Sequence, residues 1–175
     1  MGLVSHTSRL DGAEILNELG QKNRSLSNEY LASARRALQQ LVGTRDLLAG
    51  RRLERRESGY ARTLLFNDDQ MSVYAIVWSP SSQTAIHDHH CSCCFGMLSG
   101  SLEEVWFRSV GEGRVVVTER AIRTSGYIAC MLPSGPNIHQ MINNSGEEAI
   151  SIHIYGFDHK MHASSMLQEY RLASL

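Results

Sequence analysis

The stretch Ser81-Ser82-Gln83-Thr84-Ala85-Ile86-His87-Asp88-His89-His90-Cys91-Ser92-Cys93-Cys94-Phe95-Gly96-Met97-Leu98-Ser99-Gly100 decides the fold. Ile86-His87-Asp88-His89 is short and bounded by turn residues, which reads as a strand. Side chains alternate across a strand, so His87 and His89 share one face and Asp88 takes the other. Two imidazoles one pleat apart can chelate one metal ion. The chain has 8 His and 4 Cys, and three of each fall between positions 87 and 94.

The flanking sequence continues in the same style. Strands are expected at Tyr60–Phe66, Ser72–Trp78, Ala85–Asp88, Cys91–Leu98, Leu102–Phe107, Arg114–Thr118, Gly126–Met131, Ile138–Ile142 and Ala149–Phe157. Between them stand turn formers such as Asn67-Asp68-Asp69 and Pro133-Ser134-Gly135-Pro136. Short strands at regular spacing without long crossover helices predict a mostly β chain, a sandwich or barrel rather than a parallel α/β sheet. The first fifty residues read as helical. Asp11 and Glu14 resemble a capping box before Ile15, Leu16 and Leu19, with Gly20 as a stop. A second helix is expected over Ser27–Leu48, its packing stripe made of Leu31, Ala34, Leu38, Leu41 and Val42. The expected organisation is a single domain over 1–175: helices in 1–50, the barrel in 58–160 and a tail in 161–175.

At 175 residues, 42% hydrophobic and 20% charged, the chain is ordinary for one globular domain. A net charge of −1 gives no field that would steer it to nucleic acid or an anionic membrane. No run approaches 18 apolar residues, and the first residues lack a signal-peptide apolar core. Gly2 lacks the Ser or Thr four residues on that myristoylation favours, His6 standing there. These features predict a cytoplasmic protein with reduced cysteines.

The spacing around the two histidines resembles the first cupin motif, in which Gly, five residues, His-x-His, three or four residues, Glu, six residues and Gly follow in order. Ser81 stands in the place of the first Gly, Cys93 in that of Glu, and Gly100 closes the motif. Gly126, Pro133, Gly135, His139 and Asn143 resemble the second motif, with one extra residue in two gaps. The resemblance implies a jelly-roll-like cupin barrel and makes His139 a third ligand. Three neutral imidazoles without the carboxylate leave the full 2+ charge on a metal, which favours an anionic soft ligand such as a thiolate. Nitrogen ligands argue against Ca²⁺ and Mg²⁺, while Fe, Zn, Cu, Mn and Ni all suit the ligand type.

The stretch from about Tyr60 to Phe157 is further similar to the cysteine dioxygenase family of thiol dioxygenases. The resemblance rests on Tyr60-Ala61-Arg62-Thr63-Leu64-Leu65, Ile86-His87-Asp88-His89, the cysteine before Phe95, Ile138-His139-Gln140-Met141-Ile142-Asn143 and Ser151-Ile152-His153-Ile154-Tyr155. It implies an Fe(II) enzyme that adds both atoms of O₂ to a small thiol, giving the sulfinate. Carried over, His87, His89 and His139 are the iron ligands, Arg62 holds the substrate carboxylate with Tyr60 nearby, and Ser151, His153 and Tyr155 form a relay. Independently of the family, those three residues alternate and share one strand face, where hydroxyl, imidazole and phenol can pass a hydrogen bond along. Arg62 lies in an otherwise apolar strand, and a planar guanidinium is the natural bidentate partner of a carboxylate.

Some family members join a Cys to the relay Tyr by a thioether. Here Cys93 or Cys94 would join Tyr155; strand parity with His87 and His89 favours Cys93, and counting five residues from His89 gives Cys94. The cysteine and Arg62 lean towards L-cysteine as substrate. Relatives acting on 3-mercaptopropionate carry their Arg after the Ser-His-Tyr stretch, where only the distant Arg171 stands here. Another thiol acid, 3-mercaptopropionate or mercaptosuccinate, is the alternative within the class. A non-catalytic metal- or ligand-binding cupin is the alternative outside it. The expected partners are a small thiol and O₂, with the chain a monomer or small homo-oligomer. His90 and Cys91 are expected at the rim or facing outward, Cys130 in the core, and His159 and His162 on the surface.

Overall fold

The computed structural model describes residues 12–44 and 46–173. One helix, α1 (Gly12–Gly43), precedes ten strands: β1 (Tyr60–Asn67), β2 (Ser72–Trp78), β3 (Ile86–His89), β4 (Cys93–Ser99), β5 (Ser101–Gly111), β6 (Arg114–Thr124), β7 (Ile128–Met131), β8 (His139–Ile142), β9 (Ala149–Tyr155) and β10 (Met166–Leu172). One sheet has the order β1-β2-β9-β4-β7. The other runs β10-β3-β8-β5-β6 and closes where β6 pairs with β10. The mostly β chain with a closed barrel, expected from the sequence, is the observed architecture.

The nine expected strands are all present, Ser72–Trp78 with the expected ends and the others with shifted ones. The tenth, β10, lies in the segment read as a tail. Only Met166 and Tyr170 of this strand are even half-buried, so it carries no apolar alternation to read. It nevertheless pairs antiparallel with β3 and parallel with β6 and thereby shuts the barrel. The two-helix expectation is also corrected. Gly20 continues inside α1 and has no positive φ. A glycine in a helix interior costs about 1 kcal/mol relative to Ala, too little to end a helix with good formers on both sides. The expected cap, Asp11, lies outside the described residues.

The second half of α1 lies on the outer face of the β1-β2-β9-β4-β7 sheet. Ala34 and Leu38 are buried against Val73, Ala75, Val77, Cys94, Ile152 and Ile154. The approach is close enough that a Cβ on Gly96 would sit 2.8 Å from Val42 Cγ1. The first half reaches past the sheet with Ile15, Leu16, Leu19 and Leu26 exposed. The inner core, between the sheets, is built on Tyr74, Ile76, Trp78, Phe95, Met97, Leu102 and Met141. Alternation along β2 therefore separates the inner core from the one under the helix, since Tyr74, Ile76 and Trp78 point inward and Val73, Ala75 and Val77 point to the helix.

Both ends of the first histidine motif sit in left-handed backbone. Ser81 adopts φ 63°, and Gly100 adopts φ 71°. At Gly100 a Cβ would lie 2.8 Å from the Ala149 Cα, so the position needs glycine on two grounds. The fully buried Asn143 ties this end of the barrel, its Nδ2 donating to the carbonyls of Trp78, Ser79 and Glu147.

Candidate active site

β3 presents His87 and His89 to the barrel interior, and His139 opens β8 as the cross-strand partner of His87. All three are 3% exposed. Their ligating atoms lie within 4.8 Å of one another, and the Nε2 atoms of His89 and His139 are 3.1 Å apart. Each Nδ1 is engaged on the outer side: His87 with Ala85 O at 2.9 Å, His89 with Ser165 Oγ at 3.2 Å, and His139 with Glu104 Oε1 at 3.2 Å. An outward Nδ1–H leaves each Nε2 lone pair aimed inward, the second-layer arrangement that metal-binding histidines use. Burial, together with the other imidazoles, pushes His87 down to about 4 and His89 to about 2. His87 and His89 are therefore neutral near pH 7, as metal ligation requires. Three converging imidazole nitrogens fit a transition-metal ion and do not fit Ca²⁺ or Mg²⁺.

Glu104 is a functional residue that the sequence reading missed. It is fully buried on β5, with one oxygen on His139 and the other 2.9 Å from Arg123 Nε. Burial would raise its carboxyl, but His139 and Arg123 outweigh that and hold it below the ordinary value. Arg123 is itself clamped over the Tyr127 ring, 4.4 Å from the centroid. The signal available in sequence was parity: Glu104 is in phase with the buried Leu102 on the same strand.

The opposite sheet supplies the relay. Trp78 Nε1 lies 2.8 Å from Ser151 Oγ, Ser151 Oγ lies 2.8 Å from His153 Nε2, and His153 Nδ1 lies 3.1 Å from the Tyr155 hydroxyl. The indole can only donate, so Ser151 accepts from it and keeps its proton and a second lone pair for His153 Nε2. The Tyr155 hydroxyl also meets Ser165 at the cavity wall. Phe95 stacks on His153 at 5.5 Å and fixes its plane. Burial holds His153 down at about 3 and pushes the Tyr155 phenol well above its usual range, so both stay neutral. Trp78, like Ser165, was not singled out from sequence.

Cys93 is the register partner of Tyr155 and lines the cavity with it. Cys94 faces the other way, into the core under α1. Tyr60 and Arg62 share the inner face of β1 and line the same cavity as the three histidines. Tyr60 packs on Trp78 at 4.9 Å. The Arg62 guanidinium sits 5.7 Å from the Tyr74 ring centroid, with no hydrogen bond or ion pair to any described residue.

Against known proteins, residues 54–162 match the profile of the family Cysteine dioxygenase type I, more than half of the chain. The chain belongs to the cysteine dioxygenase type I family. Solved structures to which this family member is similar are cupins and their kin. A sugar phosphate isomerase of the cupin superfamily from Silicibacter pomeroyi is 16% identical, with 56% of this chain and 59% of that one covered and a TM-score of 0.46. The chain thus spans about three-fifths of that protein's length. A conserved protein with a double-stranded β-helix domain from Klebsiella pneumoniae is 19% identical, covering 67% and 91%, with a TM-score of 0.49. A cupin superfamily protein from Desulfitobacterium hafniense is 10% identical, covering 61% and 84%, with a TM-score of 0.48.

Several other residues of this family member lie away from the cavity. Asp88 faces β10, accepting from the Gln168 N–H and the Tyr170 hydroxyl. His90 is half-buried beside Ser164 O, Phe157 and His162. Cys91, expected at the rim or facing outward, is 6% exposed in the inner core, because it precedes β4 where the chain turns in beneath Tyr155 and Phe157. Cys130 is half-buried rather than fully enclosed. His159 and His162 are exposed, and Arg171 stands at the far end of β10 opposite Arg114. No helix among the described residues is long and apolar enough to cross a membrane.

Proposed function

We propose that the protein is a non-haem iron(II) dioxygenase that oxidises a small thiol carboxylate, L-cysteine foremost, to the sulfinate with O₂. The observation that carries this reading is one cavity holding three converging imidazoles, no carboxylate ligand and a guanidinium with no hydrogen bond or ion pair to any described residue. His87, His89 and His139 would hold the iron, which supplies the redox chemistry and open positions for a thiolate and O₂. Arg62 takes the carboxylate in a bidentate pair and converts an encounter into an oriented one. Tyr60, braced by Trp78, flanks that subsite. Tyr155 keeps its proton and offers it as a hydrogen bond from the wall facing the histidines, held there by His153 and Ser151. A thioether from Cys93 to the Tyr155 ring, formed with loss of two hydrogens to O₂, would fix the phenol further.

The test is anaerobic reconstitution with Fe(II), followed by O₂ uptake and mass spectrometry with isotopically labelled O₂. L-cysteine should give a sulfinate carrying both labelled atoms, and His139→Ala should lose iron and activity together. Turnover of 3-mercaptopropionate in place of cysteine would move the substrate within the class. No sulfinate from either thiol would overturn the dioxygenase reading in favour of a ligand-binding cupin.

A further inference from the structure

A second pair of thiols lies on the sheet face turned away from the cavity. Cys94 on β4 and Cys130 on the edge strand β7 are directly opposed. The type of pair follows from a neighbouring bond, the Met97 N–H donating to Tyr127 O at 2.9 Å. N–H directions alternate along a strand, so Met97 and Phe95 turn theirs to the β7 side and Cys94 turns its own away, which makes Cys94–Cys130 a non-hydrogen-bonded pair, where side chains stand closest. Cα atoms in such a pair are about 4.5 Å apart, within the span of about 4.4–6.8 Å that a disulfide bridges. Cys94 is fully buried beneath α1, and Cys130 is half-buried. Arg35 of α1 reaches this face, its Nη1 donating to Ile128 O at 3.2 Å, two residues from Cys130 on the same side of β7.

The two thiols are unequal. The Cys94 S–H and, beyond it, the Arg35 guanidinium hold the Cys130 thiol below its ordinary value against burial, whereas contact with Cys130 and burial raise Cys94. A reachable sulfur with thiolate character beside a cation, backed by a buried partner, is the arrangement of a nucleophilic and a resolving cysteine.

We propose that Cys130 and Cys94 form a dithiol that hydrogen peroxide oxidises to a disulfide, a modification site separate from the cavity. The Cys130 thiolate attacks the peroxide O–O bond and takes one OH as sulfenic acid, and the displaced hydroxide takes up a proton and leaves as water. The Cys94 sulfur then attacks the sulfenic sulfur. The S–S bond forms as the S–O bond breaks, and the hydroxyl leaves with the Cys94 proton as a second water. Two hydrogens leave the protein and one peroxide becomes two waters. Cys93, on the opposite face of β4, takes no part.

The experiment treats the as-purified full chain with stoichiometric hydrogen peroxide, quenches with catalase, alkylates free thiols and maps peptides by mass spectrometry. The expected product is a Cys94–Cys130 cross-linked peptide pair, with two hydrogen masses lost from the intact chain and restored by a phosphine reductant. A Cys93–Tyr155 thioether loses the same mass but resists reduction, so reversibility separates the two. Cys130→Ser should abolish the reversible loss. Cys94→Ala should leave a Cys130 sulfenic acid that dimedone traps, and Arg35→Gln should slow disulfide formation several-fold. Wild-type chain in which both cysteines remain alkylatable, or in which Cys130 passes straight to the sulfinic acid or pairs with another cysteine, would overturn the proposal.

Discussion

Replacing Glu104 with Gln tests whether the buried carboxylate sets the metal site. The side chain is fully enclosed, with one oxygen serving His139 Nδ1 at 3.2 Å and the other serving Arg123 Nε at 2.9 Å. Glutamine keeps the shape but has one oxygen and one NH₂. If its oxygen stays on His139, the NH₂ meets the Arg123 N–H, donor against donor. If the oxygen turns to Arg123, the NH₂ meets His139 Nδ1, which must then accept, and the imidazole proton moves to Nε2, where a metal would bind. The first arrangement costs stability and the second costs affinity. Loss of such an outer partner weakens metal binding about 10–100-fold, or about 1.4–2.8 kcal/mol. The assay is anaerobic Fe(II) competition against a chromogenic chelator, run well below the melting temperature of each variant. Arg123→Met is the companion: it removes the same ion pair but leaves Glu104 to accept from His139, so it should lower Tm and largely spare affinity. Wild-type iron affinity together with a wild-type Tm in Glu104→Gln, or equal affinity losses in both variants, would refute the reasoning.

Arg62→Ala should raise KM for the thiol acid roughly 10- to 100-fold with kcat little changed, since a charge-assisted pair is worth about 1.5–3 kcal/mol; a loss confined to kcat in steady-state O₂ uptake contradicts it. Ser81→Gly should stabilise the fold by about 0.5–1 kcal/mol, because the left-handed penalty of about 1–2 kcal/mol exceeds the extra chain entropy of glycine. Gly100→Ala should lower Tm in the same melting experiment, and a rise there, or a fall for Ser81→Gly, counts against the backbone argument. Metal-free protein should lose stability as pH falls below about 6.5. His87, His89 and His153 are held at about 4, 2 and 3, so the unfolded chain takes up protons that the folded one refuses. The slope is up to about 1.4 kcal/mol per pH unit for each histidine, fully recovered above the unfolded value, and a Tm flat between about pH 7 and 5 would disprove it.

Residues that act through strand parity were legible in the sequence. His87 with His89, and Ser151 with His153 and Tyr155, needed only alternation to fall on common faces, and the same parity pointed to Cys93 over Cys94 before the register with Tyr155 was known. What stayed hidden acts across long separations. Glu104 meets His139 from 35 positions away and Arg123 from 19. Beside Glu103, which pairs with Arg120 at the rim, it looks like half of an ordinary solvated acidic pair. Ser165 meets His89 across 76 positions, on the approach to a strand whose own residues lack apolar alternation. The misplaced helix stop at Gly20 has a different origin: local propensity is weak beside the cooperativity of a long helix.

The site carries its carboxylate behind an imidazole rather than among the ligands. Position 93, where the cupin pattern has Glu, lies on β4 in the sheet opposite the histidines and faces Tyr155. A carboxylate there would put a negative charge into the same cavity as the imidazoles and compete with any incoming thiolate. The acid that the site does contain, Glu104, stands one layer out behind His139, and Arg123 neutralises it. From that place it can orient an imidazole without lowering the charge a substrate meets. A divalent ion on three neutral nitrogens, together with Arg62, would face the substrate with fixed positive charge at two points. A thiol carboxylate bound as thiolate carries negative charge at two matching points. Charge complementarity of this kind selects substrates by having both anionic groups present, so a simple alkyl thiol or a simple carboxylate should each bind far more weakly than a molecule that carries both.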